Sequence, residues 1–487
     1  MVVLWIILIL IGLIAALLLA ALVRTLLSEA KKAGYVPDVT EEETRPLAEK
    51  LSEMVRCETV SVPNTDQREK FLAFHRVLEE LFPLTHRRLE KTEIDGNLLY
   101  HWKGLDDTRP LVLMSHQDVV PAEGDWRHAP FSGDIFGGRV WGRGASDTKC
   151  SVMAFFEAVE ELLAEGYTPP QDVYLSSSCT EEWAGDGCPK LVAELKRRNV
   201  RPWLVVDEGG GIIGDPIGGV HGNFAMLGVF EKGKADVTFT AKSSGGHASA
   251  PGRNSPIARL ADFVHYVEHH DVFKRKLPPE VASMFGALAP YASFPLRYVF
   301  GNLWLFGPVL PGVLPMISAQ AGAMIRTTIA FTMAKGSEAF NVMPQEASIG
   351  ANLRFIPHQG MEESLKVLKK AADRYKLEMT VHHATDYTEP CDTNGEAFRT
   401  VADTVREVFP GCPVSPYVMT GATDSRFYQE ICPSVVRFAP VIYGPEQMKG
   451  MHGVDENIGI DCLPGAVKFY KALIRRMGAA PEGEKEA

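Results

Sequence analysis

The sequence of 487 residues contains no Cys-x-x-Cys pair; its eight cysteines stand apart at positions 57, 150, 179, 188, 391, 412, 432 and 462. That scatter argues against a zinc ribbon and against a dense disulfide framework, and leaves the redox compartment open. A basic stripe with interleaved aromatics is also missing. With a net charge of −11 and a pI near 5.8, the chain repels a polyanion on average, so no nucleic-acid partner is expected. No Gly-x-Ser-x-Gly elbow occurs, which removes the usual presentation of a serine nucleophile. There is no internal repeat or low-complexity tract. What is present is core material: 46% of residues are hydrophobic and 23% charged, the balance of a folded chain of roughly two to four domains.

Residues 2–23, "VVLWIILILIGLIAALLLAALV", carry no charge and are long enough to cross a bilayer as a helix. A cleaved secretory signal would show a basic start and an Ala-x-Ala site. Neither is there, so residues 1–27 are expected to be a single-pass transmembrane anchor, with a cleaved signal as the alternative. Arg24, Lys31 and Lys32, partly offset by Glu29, leave the side of the membrane open.

A polar linker and the start of a helix follow in 28–50, and from about 97 to 215 short apolar runs alternate with amphipathic stretches. "PLVLMSH", "DVYLSSS" and "WLVVDEGGG" read as strands; "CSVMAFFEAVEELLAEG" and "CPKLVAELKRRN" read as helices. Such alternation predicts an α/β fold with a mixed, largely parallel sheet flanked by helices, whose ligands gather beyond the carboxyl ends of the strands. Near 220 the pattern changes. "ADVTFTAKS" and "EASIGANLRFIP" alternate like half-exposed strands around the helix "SPIARLADFVHYVEHH", which predicts an inserted α+β unit. The expected division is therefore a first catalytic part at 28–221, the insertion at 222–383, a second catalytic part at 384–480 and a disordered tail at 481–487. The apolar stretch 285–318 is broken by five prolines; it reads as a buried or interface-forming excursion rather than a membrane span.

Chemistry-bearing residues stand at the predicted strand ends: His116 and Asp118 after "LVLM", Asp147 in "GRGASDTK", Glu181 and Glu182 in "TEEW", Asp207 and Glu208 in "VVDEGG", and His452 in "MHGVDENIG". Each alone is ordinary, because a strand-end aspartate often caps a helix and adjacent glutamates usually form a solvated face. Together, carboxylates and imidazoles form the ligand set of a divalent zinc, cobalt or manganese site. "EE" follows a strand, where alternation would point the two side chains apart. One glutamate could then ligate while the other stands free to move protons, the division metal-assisted hydrolysis requires.

These five motifs, in this order, resemble the M20 family of dinuclear zinc amidohydrolases, and the likeness runs from about residue 40 to 475. "HGVDENI" and the membrane-proximal start bring it nearest the carboxypeptidase S branch. The resemblance implies two Zn2+ ions, with Co2+ or Mn2+ as alternatives, held by His116, Asp147, Glu182, Glu208 and His452, with Asp147 bridging. Of the neighbours Asp207 and Glu208, alignment on the following glycine selects the second. The resemblance implies Asp118 as the partner that orients His116 and Glu181 as general base and acid. It further implies that the inserted unit is a lid through which two copies dimerise, and that His247 in "SSGGHASAPG" reaches a catalytic site across the dimer. Asn341, Arg354, Gly421 and Arg426 are candidates for holding substrate, since a guanidinium matches a carboxylate in a two-bonded fork. The expected activity is hydrolysis of an amide bond in a peptide or N-acyl amino acid, releasing a free amino acid. The rival is a non-catalytic metal-binding receptor or scaffold that retains the fold.

Overall fold

The computed structural model describes residues 1–65 and 67–478; the tail expected at 481–487 lies outside them. A central sheet of eight strands runs in the order Glu90–Ile94, Asn97–Trp102, Gln171–Ser177, Asp106–Met114, Leu204–Gly214, Val435–Tyr443, Asn223–Glu231, Val414–Met419. Its four middle strands, from Gln171–Ser177 to Val435–Tyr443, are mutually parallel, and antiparallel pairs flank them. This is the mixed, largely parallel α/β sheet expected.

Alternation explains the layering. Leu111 and Leu113 face one core with Val173, Leu175, Leu204 and Val206, into which the helix Lys149–Ala164 packs. Val112 and Met114 face the opposite core with Tyr174 and Val205, covered by the helix Gly187–Arg197. Because successive side chains point to opposite faces, an unbroken apolar run is what a strand covered on both sides needs. The connections leave the carboxyl ends of Asp106–Met114, Gln171–Ser177 and Leu204–Gly214, so their loops open at one edge of the sheet. Leu204–Gly214 carries glycines where the chain is crowded: a Cβ on Gly210 would lie 2.2 Å from the Met226 carbonyl oxygen.

The inserted unit has its own antiparallel sheet, ordered Thr328–Lys335, Glu346–Phe355, Gly233–Lys242, Glu378–Thr385. Ala235, Val237, Phe239 and Ala241 are buried while the residues between them are half-buried, and they share a separate core with Phe263, Leu353 and Leu368. The inserted sheet ends with Glu378–Thr385, beside the boundary expected at 384, but it starts later than 222 and the chain between does not keep to one core. Asn223–Glu231 is a strand of the central sheet, and Val281, Phe285, Leu288 and Leu310 pack into the catalytic core. An apolar run carries no label saying which core it joins. Nor is 28–40 a free linker: Lys31 N donates to Pro290 O at 2.8 Å and Gly34 N to Gly411 O at 3.1 Å, while the Tyr35 ring meets Phe409 edge-on at 5.3 Å.

Candidate metal centre and substrate pocket

The strand Asp106–Met114 ends before His116, so the loop, and not strand alternation, aims the imidazole. His116 Nδ1 lies 2.9 Å from the backbone O of Asp118 and 3.5 Å from its Oδ1. A ring whose Nδ1 proton is bound this way presents Nε2 to a metal. The Asp118 carboxylate is fully buried and also accepts from the backbone N–H groups of Glu181 and Glu182, both at 3.2 Å, and from Ser61 Oγ at 2.5 Å. It thus anchors the turn that carries both glutamates.

That turn is a correction to the sequence reading. Glu181–Trp183 forms one turn of 3₁₀ helix beyond the strand Gln171–Ser177, where successive side chains diverge by a third of a revolution rather than alternate. The two glutamates still separate. Glu182 Oε2 lies 3.1 Å from His452 Nε2 and its Oε1 accepts from Val120 N at 3.1 Å. Glu181 makes no ion pair and no side-chain hydrogen bond among the described residues.

Donor atoms from five residues form two groups that share Asp147. His116, Asp147 and Glu208 make one; Asp147, Glu182 and His452 make the other; within each group all donor atoms lie within 4.8 Å. Asp147 Oδ1 is 3.2 Å from His116 Nε2 and Oδ2 is 3.0 Å from His452 Nε2. Glu208, rather than Asp207, joins the cluster, its Oε1 being 3.5 Å from His116 Nε2. Asp207 is turned elsewhere, accepting from Ser425 N at 2.9 Å and Glu208 N at 2.8 Å. His452 occupies a left-handed backbone conformation, φ 55°, which non-glycine residues seldom adopt and which recurs at functional sites.

The electrostatics describe a site with excess negative charge. Burial, then the charge of Asp147, push the Glu208 carboxyl up to about 8. Burial, reinforced by Asp424, Glu208 and Glu182 against the opposing pull of His116, raises Glu181 well above the carboxylate range. Hydrogen bonds to Asp147 and Glu182 lift His452 to about 10. No lysine or arginine ion pair reaches Asp147, Glu182 or Glu208 among the described residues. Three acids and two imidazoles with no fixed cation between them suit divalent metal chemistry, since buried carboxylates must find positive charge.

Two residues that sequence reasoning passed over hold this geometry together. Glu456, fully buried, accepts from Asp147 N at 3.0 Å, from Ser146 N at 2.9 Å and from Arg143 at 2.6 Å, tying the loop of Asp147 to the segment of His452. Both Glu456 and Arg143 lie inside the motifs "HGVDENI" and "GRGASDTK", which was the available signal.

Of the remaining candidates, Arg354 is half-buried, burial and then the positive charge of Arg426 push its guanidinium down, and neither arginine makes an ion pair among the described residues. Arg426 follows Ser425, whose N–H binds Asp207; its own Nε donates to Thr423 O at 3.0 Å, and Arg354 Nε donates to Asn352 Oδ1 at 3.2 Å. Gly421 is exposed and open, with nothing within 4 Å of where a Cβ would stand. His247 and Asn341 are exposed on the lid and joined to each other's strands through Ala248 N and Asn341 O at 3.0 Å. Among the described residues no hydrogen bond or ion pair joins either of them to the cluster.

A family model described as peptidase family M20/M25/M40 matches residues 112–476, the stretch holding all five donors. The chain belongs to this family. It is 32% identical over 447 residues to probable carboxypeptidase S-like 2 of Dictyostelium discoideum, covering 88% of this chain and 84% of that protein. It is also 32% identical over 461 residues to the human N-fatty-acyl-amino acid synthase/hydrolase PM20D1, covering 92% and 91%. Among solved structures, the M20 family metallo-carboxypeptidase Sso-CP2 from Sulfolobus solfataricus superposes with a TM-score of 0.66 at 18% identity, covering 88% of this chain and 98% of that one. Human carnosine dipeptidase 1 gives 0.59 at 17% identity, covering 90% and 98%. This M20 protein is accordingly a hydrolytic enzyme of the metallopeptidase type, and divalent metal is implied by its family and accommodated by its donor set.

Proposed function

We propose that this enzyme hydrolyses the amide bond of a peptide or an N-acyl amino acid, releasing a free amino acid. The observation that carries the reading is the pair of donor triads sharing Asp147 with an uncoordinated glutamate beside them. His116, Asp147 and Glu208 would hold one Zn2+, and Asp147, Glu182 and His452 the second, with Co2+ or Mn2+ as alternatives. Bound there, such ions supply Lewis acidity for the scissile carbonyl and acidify water. Glu181 takes the proton of the attacking water and delivers it to the leaving nitrogen; standing outside both donor groups, its carboxylate is free for both transfers. Asp118 keeps the Glu181–Glu182 turn and the His116 ring in register. Arg426, with Arg354, would grip the carboxylate of the departing amino acid, and Gly421 would leave room for it.

In a homodimer closed through the lid, His247 of the partner subunit would donate to the developing oxyanion and Asn341 would sit at the same junction; the complete exposure of Phe340 beside Asn341 favours such a contact. The first helix is read as an uncleaved single-pass anchor. Ala21 and Thr25 are buried against the catalytic body, a contact that cleavage after the helix would discard. The scaffold alternative is disfavoured because the five donors and the free glutamate are all in place.

The test is metal analysis of the purified protein together with turnover of peptides and fatty-acyl amino acids by wild type and Glu181→Gln. Unchanged metal content with turnover reduced at least about a hundredfold supports the mechanism. Undiminished turnover removes Glu181 from it.

A further inference from the structure

From Val281 to Ile325 the chain carries a single charged residue, Arg297. The segment folds into short helices, among them Phe294–Phe300 and Leu310–Ile317. One side closes the catalytic core, with Phe300, Leu310 and Leu314 at most 7% exposed. A helix at a water-facing surface would set charges on its other side. This one does not. Val309, Val313, Met316 and Ile317, spaced i, i+4, i+7 and i+8 so that they share one stripe, are between 39% and 84% exposed, and Trp304 is 50% exposed. Contiguous apolar surface of this kind marks an interaction site.

Its place in the fold selects the partner. Tyr298 Oη donates to Leu18 O of the first helix at 3.0 Å. Asn302, fully buried, donates through Nδ2 to Thr25 Oγ1 at 2.9 Å and Ala21 O at 3.3 Å. Trp304 Nε1 in turn donates to Asn302 Oδ1 at 3.2 Å. The segment that carries the stripe therefore meets, through Tyr298 and Asn302, the end of a 26-residue apolar helix, Val2–Leu27, whose first nineteen residues are exposed throughout. Hydrocarbon is the solvent that helix requires, and the stripe follows within a few residues of the contacts by which the helix meets the body.

We propose that residues 294–317 are a foot immersed in the interfacial layer of the bilayer beside the first helix, with Trp304 at the headgroup level. The enzyme is then held at two points and its orientation to the membrane is set. The downstream end of the foot is fastened to the catalytic body, Lys232 Nζ donating to Ala323 O at 2.8 Å and Arg326 O at 2.9 Å. The proposal rests on the reading of the first helix as a bilayer span, and on nothing about substrate.

Full-length protein in phosphatidylcholine vesicles with brominated acyl chains tests both. Trp5 reports the span and Trp304 the foot, so the variants are Trp5→Phe, Trp304→Phe and the double. Trp5→Phe is expected to keep a bromolipid-dependent quenching that falls by roughly half or more in the double variant, as for an interfacial tryptophan. Equal quenching in Trp5→Phe and the double variant, with Trp5 quenched in Trp304→Phe, overturns the foot while keeping the span. Unquenched Trp5 overturns the span, and the foot with it. If Trp304 is unquenched and Met316→Asp with Ile317→Asp halves the particle mass in detergent, the face is a contact between copies and the proposal fails.

Discussion

The metal pocket and the apolar foot are opposite departures from an ordinary protein surface. At the pocket, charge is buried: His116, Asp118 and Glu456 are at most 1% exposed, and each is met by backbone or side-chain partners because an unpaired buried polar group costs free energy. At the foot, hydrocarbon is exposed, with Met316 84% open and no polar network to compensate. The pocket needs cations; the foot needs lipid. Each region states what it binds by what it leaves unsatisfied.

Four measurements break or sharpen that contrast. The largest effect is expected from Glu181→Gln, which leaves the donor triads whole and lowers turnover by about 10²–10⁴-fold, with metal content by elemental analysis unaltered. Next is the buried pair behind the pocket, where Glu231 accepts from Arg437 Nε at 2.8 Å and Thr423 Oγ1 at 2.7 Å. Arg437→Met leaves the buried Glu231 without its cation, and thermal unfolding in detergent should register a loss of about 3–5 kcal/mol.

The third is pH dependence after treatment with a chelator. Glu208 is raised from 4.5 to about 8, so between those values the folded state binds a proton that the unfolded state lacks, and stability falls as pH rises through the window. His452, raised from 6.5 to about 10, acts with the same sign at higher pH. Asp147 is held below 3.8, so its contribution is complete above that value and does not vary across the window. The melting temperature should fall from roughly pH 5 to 7, above which Lys232 and Lys149, lowered to about 7 and about 8, act with the opposite sign, and saturating divalent metal should flatten the slope by holding the ligands deprotonated. A melting temperature rising over that range without metal would contradict this assignment. The smallest effect is at the foot: Met316→Ser, removing an exposed apolar side chain, should change stability by less than about 0.5 kcal/mol while weakening the bromolipid signal of Trp304.

Much of this was legible in the chain. "LVLM" in Asp106–Met114 and the alternation of Ala235, Val237, Phe239 and Ala241 announce a strand covered on both faces and a strand covered on one. The five donors were readable because their motifs are local strings. Less legible was which of two adjacent acids turns inward. Glu208 enters the cluster and Asp207 binds Ser425 N because a strand and a loop more than two hundred residues apart meet there. The roles of Glu456 and of the Asp118 carboxylate, which joins His116 to the glutamate turn, depend equally on distant backbone N–H groups.

Periodicity and composition are properties of neighbours along the chain, and by themselves they determined the layered α/β plan, the inserted unit, the apolar first helix and the residue types of the site. Which core each apolar run joins, which carboxylate oxygen faces which imidazole, and that residues 294–317 stand beside the first helix were decided only in the tertiary structure. Those outcomes are set by close packing and by hydrogen bonds between segments that the sequence holds far apart.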